Sequence, residues 1–380
     1  MNCGGGAKLT KIRPTENSLK YSQHSAEAQG VEQSGDFHIA VIGVGRAGSN
    51  TVTKIMESGP TSAKCIVVNT DANHLKSSKA HQKVLIGQKL TKGRGVHGDP
   101  KLGKAAITES RKLIEDLLSG VDIAFITAGL GGGTGAGAAP VVAEIAKHKG
   151  AATVGIVTMP FRNEKGRDKH ASMSLAEMRK QCDTVVVIDN DKLVQLVPQL
   201  PERKAFRMAD QVLASMIKGI VETISTPSLI NLDFADFKTI VSRGGMAVVG
   251  VGESDAPNRA EEAVRNALKA PLLDVDYAGA NGALINVTGD NRLTIQEVNR
   301  IGEIVTEMMH GNAHVIWGAR VNPQQEGKLK VTLVMTGVDS PQTLSGFGKI
   351  APQLFNLEPY AESERPLDVK LNLYQMETDL

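Results

Sequence analysis

The chain has 380 residues, 41% of them apolar and 22% charged, which suits a folded protein of roughly two domains. A net charge of +2, the lack of long basic runs and only 3% aromatic residues argue against a nucleic-acid partner. Three widely spaced cysteines, and the lack of a membrane-spanning apolar run or an apolar leader, predict a cytoplasmic protein that does not insert into a membrane.

The first part of the chain alternates apolar runs with amphipathic stretches. Residues 1–36 are polar without apolar periodicity, which is typical of a disordered arm. Beyond them, apolar runs predict strands at Phe37–Ile42, Cys65–Val68, Ile123–Thr127, Thr153–Thr158 and Thr184–Ile188. Helices are predicted between the strands, among them Asn50–Glu57, Lys101–Leu118 and Pro140–Lys147. Because the runs are apolar on both faces, they predict a Rossmann-like parallel sheet covered by helices on both sides.

The pattern changes after a long predicted helix from Glu202 to about Thr223. A second, smaller α/β unit follows, with strands at Met246–Gly252, Ala283–Thr288, His314–Ala319 and Lys330–Gly337 and helices at Arg259–Lys269 and Thr294–Met309. The predicted order is an arm (1–36), a nucleotide-binding domain (37–201), a central helix (202–225), a second domain (226–338) and a flexible tail (339–380).

The first glycine-rich segment, Gly43–Gly48, reads G-x-G-x-x-G between a strand and a helix. Asp71 ends the next strand, where a ribose-binding acid of an NAD enzyme would lie. Glycines and a helix N-terminus, however, suit the phosphate of any nucleotide and not only that of NAD. An NAD site, another nucleotide site and a purely structural strand–helix turn therefore all remain open from this segment alone.

The second glycine-rich segment, Gly129–Gly137, also lies between a strand and a helix. Two anion-binding helix starts on one sheet predict a triphosphate held from both sides. The sequence contains no Walker lysine motif, so backbone N–H groups, helix dipoles and a bound Mg²⁺ would have to balance the phosphate charge. The alternative is a flexible glycine linker.

The sequence Asn231-Leu-Asp233-Phe-Ala-Asp236 contains a pair of acids beyond the first domain. Asp233 and Asp236 are three residues apart at a predicted helix start and therefore share a face. The pair suits the orientation of an attacking water molecule. Acids at a helix start also cap the helix and complement its dipole, and position alone favours that structural role.

The run Gly131-Gly-Gly-Thr-Gly-Ala-Gly137 resembles the signature of the tubulin/FtsZ superfamily, and the similarity to FtsZ extends over residues 37–338. The first loop and the tail resemble archaeal members. The resemblance implies GTP and GDP as ligands, with Mg²⁺. It places the phosphate contacts at Gly45, Arg46, Ala47, Gly48, Ser49, Asn50, Asn69, Asp71, Gly132, Gly133, Thr134 and Gly135, with Thr91–Gly103 facing the γ-phosphate.

The resemblance also implies residues that hold the ribose and the base. Glu164 and Arg167 match the ribose and phosphate segment, but its spacing is one residue short, so Arg162 is an alternative to Arg167. An acceptor side chain selects guanine through its N–H groups. Asp210 suits this role, Asn190 is placed to contact another edge, and Phe206 lies one helical turn before Asp210 for stacking. Without the resemblance, a core aromatic residue and a solvated acid are the simpler interpretations.

The segment containing Asn231, Asp233 and Asp236 resembles the FtsZ loop that completes the nucleotide site of the next subunit. The resemblance implies a GTPase activated by head-to-tail self-assembly into cell-division filaments. Arg46 and Ala136 depart from the family pattern and leave open a filament protein that binds nucleotide with little hydrolysis. An NAD-dependent oxidoreductase is a further alternative, although it leaves the second glycine segment unexplained.

The tail carries apolar residues at Leu367, Val369, Leu371, Leu373 and Tyr374. FtsZ tails often end in a peptide that binds membrane-tethering division proteins, but this sequence does not match the familiar bacterial peptide. Partner binding and plain disorder both remain open for the tail. The expected location is the cytoplasm, at the mid-cell division site.

Overall fold

The computed structural model describes residues 37–161, 163–164, 166–191, 202–225, 234–242, 244–269, 277, 279–309, 311, 313–323 and 325–338, with some side chains of 202–225 left out. The predicted arm, the predicted tail, Arg162, Asn231 and Asp233 lie outside the described residues.

The first half of the structure is a parallel sheet. Its strands are β1 (Ile39–Val44), β2 (Lys64–Asn69), β3 (Gln82–Leu85), β4 (Ile123–Gly129), β5 (Ala152–Met159) and β6 (Thr184–Asp189). They run in the order β3-β2-β1-β4-β5-β6, and each pair of neighbours is parallel. The strand order reverses between β1 and β4, and in such sheets ligands bind at the carboxyl ends beside that point.

Helices cover both faces of this sheet, as predicted. They are α1 (Gly45–Glu57), α2 (Ala72–Ser77), α3 (Gln88–Thr91), α4 (Pro100–Glu109), α5 (Arg111–Leu117), α6 (Gly133–His148), α7 (Arg167–Gln181) and α8 (Glu202–Ser225). One buried cluster joins the sheet to α4, α6 and α7, and the other joins it to α1 and α8. Among the helices of the described residues, none is long and apolar enough to cross a bilayer.

The second half comprises α9 (Phe234–Ser242), β7 (Met246–Ser254), α10 (Arg259–Lys269), β8 (Gly282–Gly289), α11 (Ile295–Glu307), β9 (His314–Val321) and β10 (Leu329–Thr336). Its strands run in the order β7-β10-β8-β9, where β10 is antiparallel to both neighbours and β8 and β9 are parallel. Two residue pairs, Val185–Met246 and Val186–Ala247, join β7 to β6. The second unit therefore continues the first sheet into one of ten strands.

Several predicted boundaries were wrong where glycine is dense. Helix α1 begins at Gly45 rather than Asn50, and α6 begins at Gly133 rather than Pro140. The glycines of α6 are kept by packing, because a Cβ placed on Gly137 would lie 2.1 Å from the Pro100 carbonyl oxygen. The single helix predicted at Lys101–Leu118 is two helices, which meet at Ser110. The short elements α2, β3 and α3 were not predicted.

Candidate functional site

Two helix starts lie side by side at the carboxyl ends of adjacent strands. Strand β1 leads into α1 and β4 leads into α6, and Val44 pairs with Ala128. Neither helix start has a side-chain cap or a first-turn acid among the described residues. Their free N–H groups and the positive ends of both helix dipoles make this edge suitable for phosphate.

The glycines at this edge have different roles. A Cβ on Gly48 would lie 2.2 Å from the Thr127 carbonyl oxygen, so Gly48 is required for packing. Gly45 has a φ of +72°, in the left-handed region that favours glycine. A Cβ on Gly132 would meet no described atom within 4 Å. Gly132 therefore faces open space, where an anion could approach α6.

Short polar side chains hold the loops beside the helix starts. The Ser49 hydroxyl donates to the Gly45 carbonyl oxygen at 2.5 Å, and the Asn69 amide donates to the Ser49 hydroxyl at 3.3 Å. The hydroxyls of Thr70 and Thr134 are 2.7 Å apart. These contacts connect the ends of β1, β2 and β4, so three of the predicted phosphate segments are brought together.

The loop after α3 closes against the same edge. The Gly95 amide donates to the Thr70 carbonyl oxygen at 3.1 Å, and the Ala72 amide donates to Gly93 at 2.9 Å. A Cβ on Gly133 would lie 2.6 Å from the Asp99 backbone nitrogen. The loop that was predicted to face the γ-phosphate is thus in contact with the start of α6.

Arg46, which departs from the family pattern, and its neighbour Ala47 lie in the first glycine segment. The Arg46 side chain is 77% exposed, and its Nη2 lies 3.9 Å from Oδ2 of Asp71. Such an exposed pair contributes little to stability and leaves the guanidinium available to a ligand. The Cβ of Ala47 would be 2.9 Å from a Cβ on Gly129, so glycine is needed opposite Ala47.

His74 lies beside the candidate phosphate residues Asn69 and Asp71 but was not predicted from the sequence. Its Nδ1 lies 3.3 Å from the Asn69 amide nitrogen, and its backbone N–H donates to the Asp71 carboxylate, which caps α2. Burial, and secondarily Arg46, lowers the pKa of His74. A neutral imidazole with Nδ1 as acceptor completes the hydrogen bonds of Asn69. The sequence feature that could have indicated His74 is its position three residues after Asp71.

Glu164 and Arg167 form a hydrogen-bonded ion pair at the end of β5. A Cβ on Gly131 would lie 3.5 Å from Cδ of Arg167, so the arginine stem runs beside the second glycine segment. Arg167 is therefore adjacent to the phosphate edge, which is the edge of the sheet that carries the starts of α1 and α6.

The residues predicted to read the base are only partly described. Asn50 Nδ2 donates to Asp210 Oδ2 at 3.3 Å, and burial raises the pKa of Asp210 to about 7. Asn190 is buried, and its Oδ1 has no hydrogen-bond partner among the described residues. A buried acceptor without a donor suits the N–H groups of guanine. The Phe206 side chain lies outside the described part of the chain.

Asp236 lies away from this edge, in the exposed first turn of α9. The neighbouring Phe234 ring stacks on Phe37 at 4.7 Å, and Phe37 precedes the amino end of β1. Gly45 follows the carboxyl end of that six-residue strand, which is about 20 Å long. The described acid of the predicted catalytic pair is therefore at the opposite end of the sheet from the helix starts.

The fold and this edge define an α/β nucleotide-binding protein. Residues 38–198 match the family model described as "Tubulin/FtsZ family, GTPase domain", and residues 245–339 match "FtsZ family, C-terminal domain". "Cell division protein FtsZ 2" of Methanocaldococcus jannaschii is 50% identical over 313 residues, 82% of each chain. "Cell division protein FtsZ 1" of Pyrococcus furiosus is 50% identical over 80% of this chain and 81% of its own.

Solved structures agree with these relatives. The M. jannaschii FtsZ dimer has a TM-score of 0.78 at 46% identity and covers 84% of this chain and 91% of its own. CetZ1 of Haloferax volcanii has a TM-score of 0.72 at 26% identity, over 82% of this chain and 97% of its own. The chain therefore belongs to the tubulin/FtsZ family of GTPases, which confirms the predicted resemblance and fold class. It also removes the support that the first glycine segment alone gave to an NAD enzyme.

Proposed function

We propose that this GTPase forms head-to-tail filaments for cell division and that each nucleotide site is completed by the next subunit. The observation that carries the proposal is the separation between the phosphate edge and Asp236. A carboxylate about 20 Å from the helix starts along β1 cannot reach its own nucleotide, but head-to-tail stacking would bring it to a neighbour's. Among the similar structures, M. jannaschii FtsZ forms a dimer and H. volcanii CetZ2 forms a protofilament.

The phosphates would be bound by the N–H groups at the starts of α1 and α6. Asn190 and Asp210 would read guanine, and Glu164 with Arg167 would hold the ribose side. In the assembled filament, Asp236 with Asp233 and Asn231 of the next subunit would orient the attacking water and draw its proton. Phosphoryl transfer depends mainly on such positioning and on charge stabilisation.

Mg²⁺ fits this edge only as an ion held largely by the nucleotide. The described residues contain no group of three or more His, Cys, Asp or Glu side chains that could hold a metal. Asp71 lies beside the start of α1, where it faces Arg46, and Oδ1 of its carboxylate already caps α2. Mg²⁺ commonly takes phosphate oxygens, waters and one or two carboxylates, so Asp71 is its candidate protein ligand. The bound ion would neutralise charge on the β- and γ-phosphates.

The cellular setting of the filament is proposed from the family. Assembly would take place in the cytoplasm at the mid-cell division site. The tail around Leu367–Leu373 would bind membrane-tethering division proteins, because its alternating apolar residues offer a short recognition segment.

Mixing two inactive variants tests the shared site. Asp236→Ala would keep nucleotide binding and lose the completing acid. Gly132→Glu would place a negative charge in the open space at the start of α6 without disturbing packing, and it would lose GTP binding. In an equimolar mixture, about one interface in four would join an intact nucleotide site to an intact Asp236. Phosphate release should reappear in the mixture.

Pelleting of the mixed filaments verifies assembly. A pelleting mixture that releases no phosphate contradicts the shared site. In unmodified protein, the rate per subunit should rise with concentration. Filaments without any phosphate release would instead indicate the non-hydrolysing alternative.

A further inference from the structure

One end of the ten-stranded sheet carries an excess of positive charge. Residues 72–98 include six lysines and arginines and no acid, although the whole chain has a net charge of only +2. Three exposed lysines follow one another here, Lys76 on α2, Lys83 on β3 and Lys79 between the two elements, and we call these three residues the basic edge. The nearby Glu57 is shared between Lys79 and Lys54. It therefore leaves the basic edge with surplus cations.

The same end of the sheet has backbone groups available for pairing. Strand β3 is the terminal strand and pairs with β2. The Ile86 amide donates to the Asn69 carbonyl oxygen, so by alternation Lys83 and Leu85 direct their N–H and C=O groups away from β2. No backbone or side-chain partner of these outward groups occurs among the residues that the structure describes. Such an edge can accept a further strand.

The tail has the complementary features. Residues 358–379 contain six acidic and two basic residues. Within them, Leu367–Leu373 alternates strictly between apolar and polar residues, the period of a strand. Backbone pairing at β3 would satisfy this segment, and acids such as Glu362 and Glu364 would meet the lysines.

The connection to the folded chain is long enough for the tail to reach this edge. Strand β10 is seven positions from β3 in the sheet, which is about 34 Å at the usual strand spacing. Residues 339–366 would span about 30 Å as a flexible chain and far more when extended. A tether of this length gives an effective concentration near the millimolar range, so even a weak contact is populated.

We propose that residues 358–379 dock on β3 of their own chain, with Leu367–Leu373 added as an edge strand and the flanking acids on the basic edge. An anionic membrane would also attract the lysines, but lipid headgroups offer no alternating partner for the outward backbone groups. Docking would occupy the segment that a tethering partner would bind, so the two interactions would compete.

Carbodiimide cross-linking of the full chain, mapped by mass spectrometry, tests the docking. Tail carboxylates should link to Lys76, Lys79 and Lys83 in preference to other exposed lysines. Because exposed charge pairs are individually weak, Lys76→Glu with Lys83→Glu should lower the yield of links to Lys79, which keeps its amine, about fivefold. Lys149→Glu with Lys269→Glu, the same charge change at exposed sites elsewhere, should leave it unchanged. Adding Glu362→Lys and Glu364→Lys to the first pair reverses both charges, and it should restore the slow amide hydrogen exchange that docking gives to β3.

Two further measurements decide between occupants. In a mixture of ¹⁴N- and ¹⁵N-labelled protein, the links should remain within one isotope; links between isotopes would overturn docking in the same chain. Re-ordering residues 367–373 without changing composition should speed amide exchange at Lys83 and Leu85 about tenfold while GTP binding persists. Unchanged exchange, or links spread evenly over all lysines, would overturn the strand pairing. Slow amide exchange at β3 that appears only in the presence of anionic vesicles would also overturn the proposal.

Discussion

The carboxyl-end and amino-end edges of the first sheet differ in how complete they are within one subunit. At the carboxyl ends, the starts of α1 and α6 are closely packed, because a Cβ added to Gly48 or Gly137 would lie about 2 Å from a backbone oxygen. The Ser49–Asn69 and Thr70–Thr134 hydrogen bonds also hold these helix starts in place. At the amino ends, α9 begins with an exposed turn that carries Asp236. The proposed phosphate site is therefore preorganised in one chain, whereas the proposed catalytic acid is positioned only by assembly.

Loss of the acid at the amino-end edge should have the largest effect on turnover. Asp236→Ala should lower the rate of phosphate release about 10²–10³-fold, the range for removing one group that positions or stabilises a transition state. The affinity for GTP should not change, because Asp236 does not lie beside the nucleotide of its own chain. Phosphate release and nucleotide titration above the assembly threshold measure the two quantities.

Asp116→Ala is the matched control, because Asp116 is also an exposed acid on a helix. It should leave both quantities unchanged. Full turnover in assembled Asp236→Ala protein would show that the amino-end edge has no catalytic part.

A change in the packed carboxyl-end edge should act on folding as well as on binding. Gly137→Ala would place a methyl group 2.1 Å from the Pro100 carbonyl oxygen and should lower the free energy of unfolding by about 3 kcal/mol. GTP binding should weaken too, because α4 and α6 would separate. Urea unfolding measures the effect.

Gly302→Ala serves as control: a Cβ there meets no described atom within 4 Å on α11, so it should stabilise the protein by about 0.5–1 kcal/mol. Equal effects of the two substitutions would contradict the packing role.

Periodicity predicted most strands because their apolar runs are continuous, and it predicted α10 to the residue. It failed at α6 because glycine disfavours helices, and only the tertiary contacts of Gly133 and Gly137 explain helix there. Strand β3 was missed because Gln82-Lys83-Val84-Leu85 buries one side chain fully, as an edge strand does. Local patterns do not encode such long-range contacts.

The site was predicted mainly through the glycine motifs and the family resemblance. Glycine spacing could not separate Gly48, which packs, from Gly132, which faces open space, because that difference depends on Thr127 and other distant residues. His74 was missed for a related reason, since its contact with Asn69 follows from how α2 folds back. Its role in positioning Asn69 was not evident from composition or spacing.

Asp210 offers a pH test of the carboxyl-end edge. Its pKa is raised to about 7, from 3.8, chiefly by burial. The folded protein therefore binds more protons than the unfolded chain between about pH 4 and 7, and this contribution to stability is lost as pH rises through that window. At about 1.4 kcal/mol per pKa unit, discounted for partial exposure, Asp210→Asn should be about 2 kcal/mol more stable than the unchanged protein at pH 8.

Nucleotide-free unfolding at several pH values measures this difference, which should vanish near pH 4. Asp116→Asn should show no such pH dependence. In the unchanged protein, GTP should also bind less tightly as pH falls below about 7, if guanine pairs with the charged carboxylate. A stability difference that is constant with pH would contradict a buried, protonated Asp210.

The smallest effect should come from the open position of the carboxyl-end edge. Gly132 has φ −99° and ψ 161°, a conformation that alanine adopts, and a Cβ there meets no described atom within 4 Å. Gly132→Ala should therefore leave the unfolding midpoint unchanged, in contrast to Gly137→Ala. If the open space receives a phosphate, the added methyl group should raise the dissociation constant for GTP about tenfold, which is about 1.4 kcal/mol. Calorimetric titration with GTP at a fixed Mg²⁺ concentration measures this affinity. An unchanged affinity for GTP would mean that the phosphates lie elsewhere on the edge.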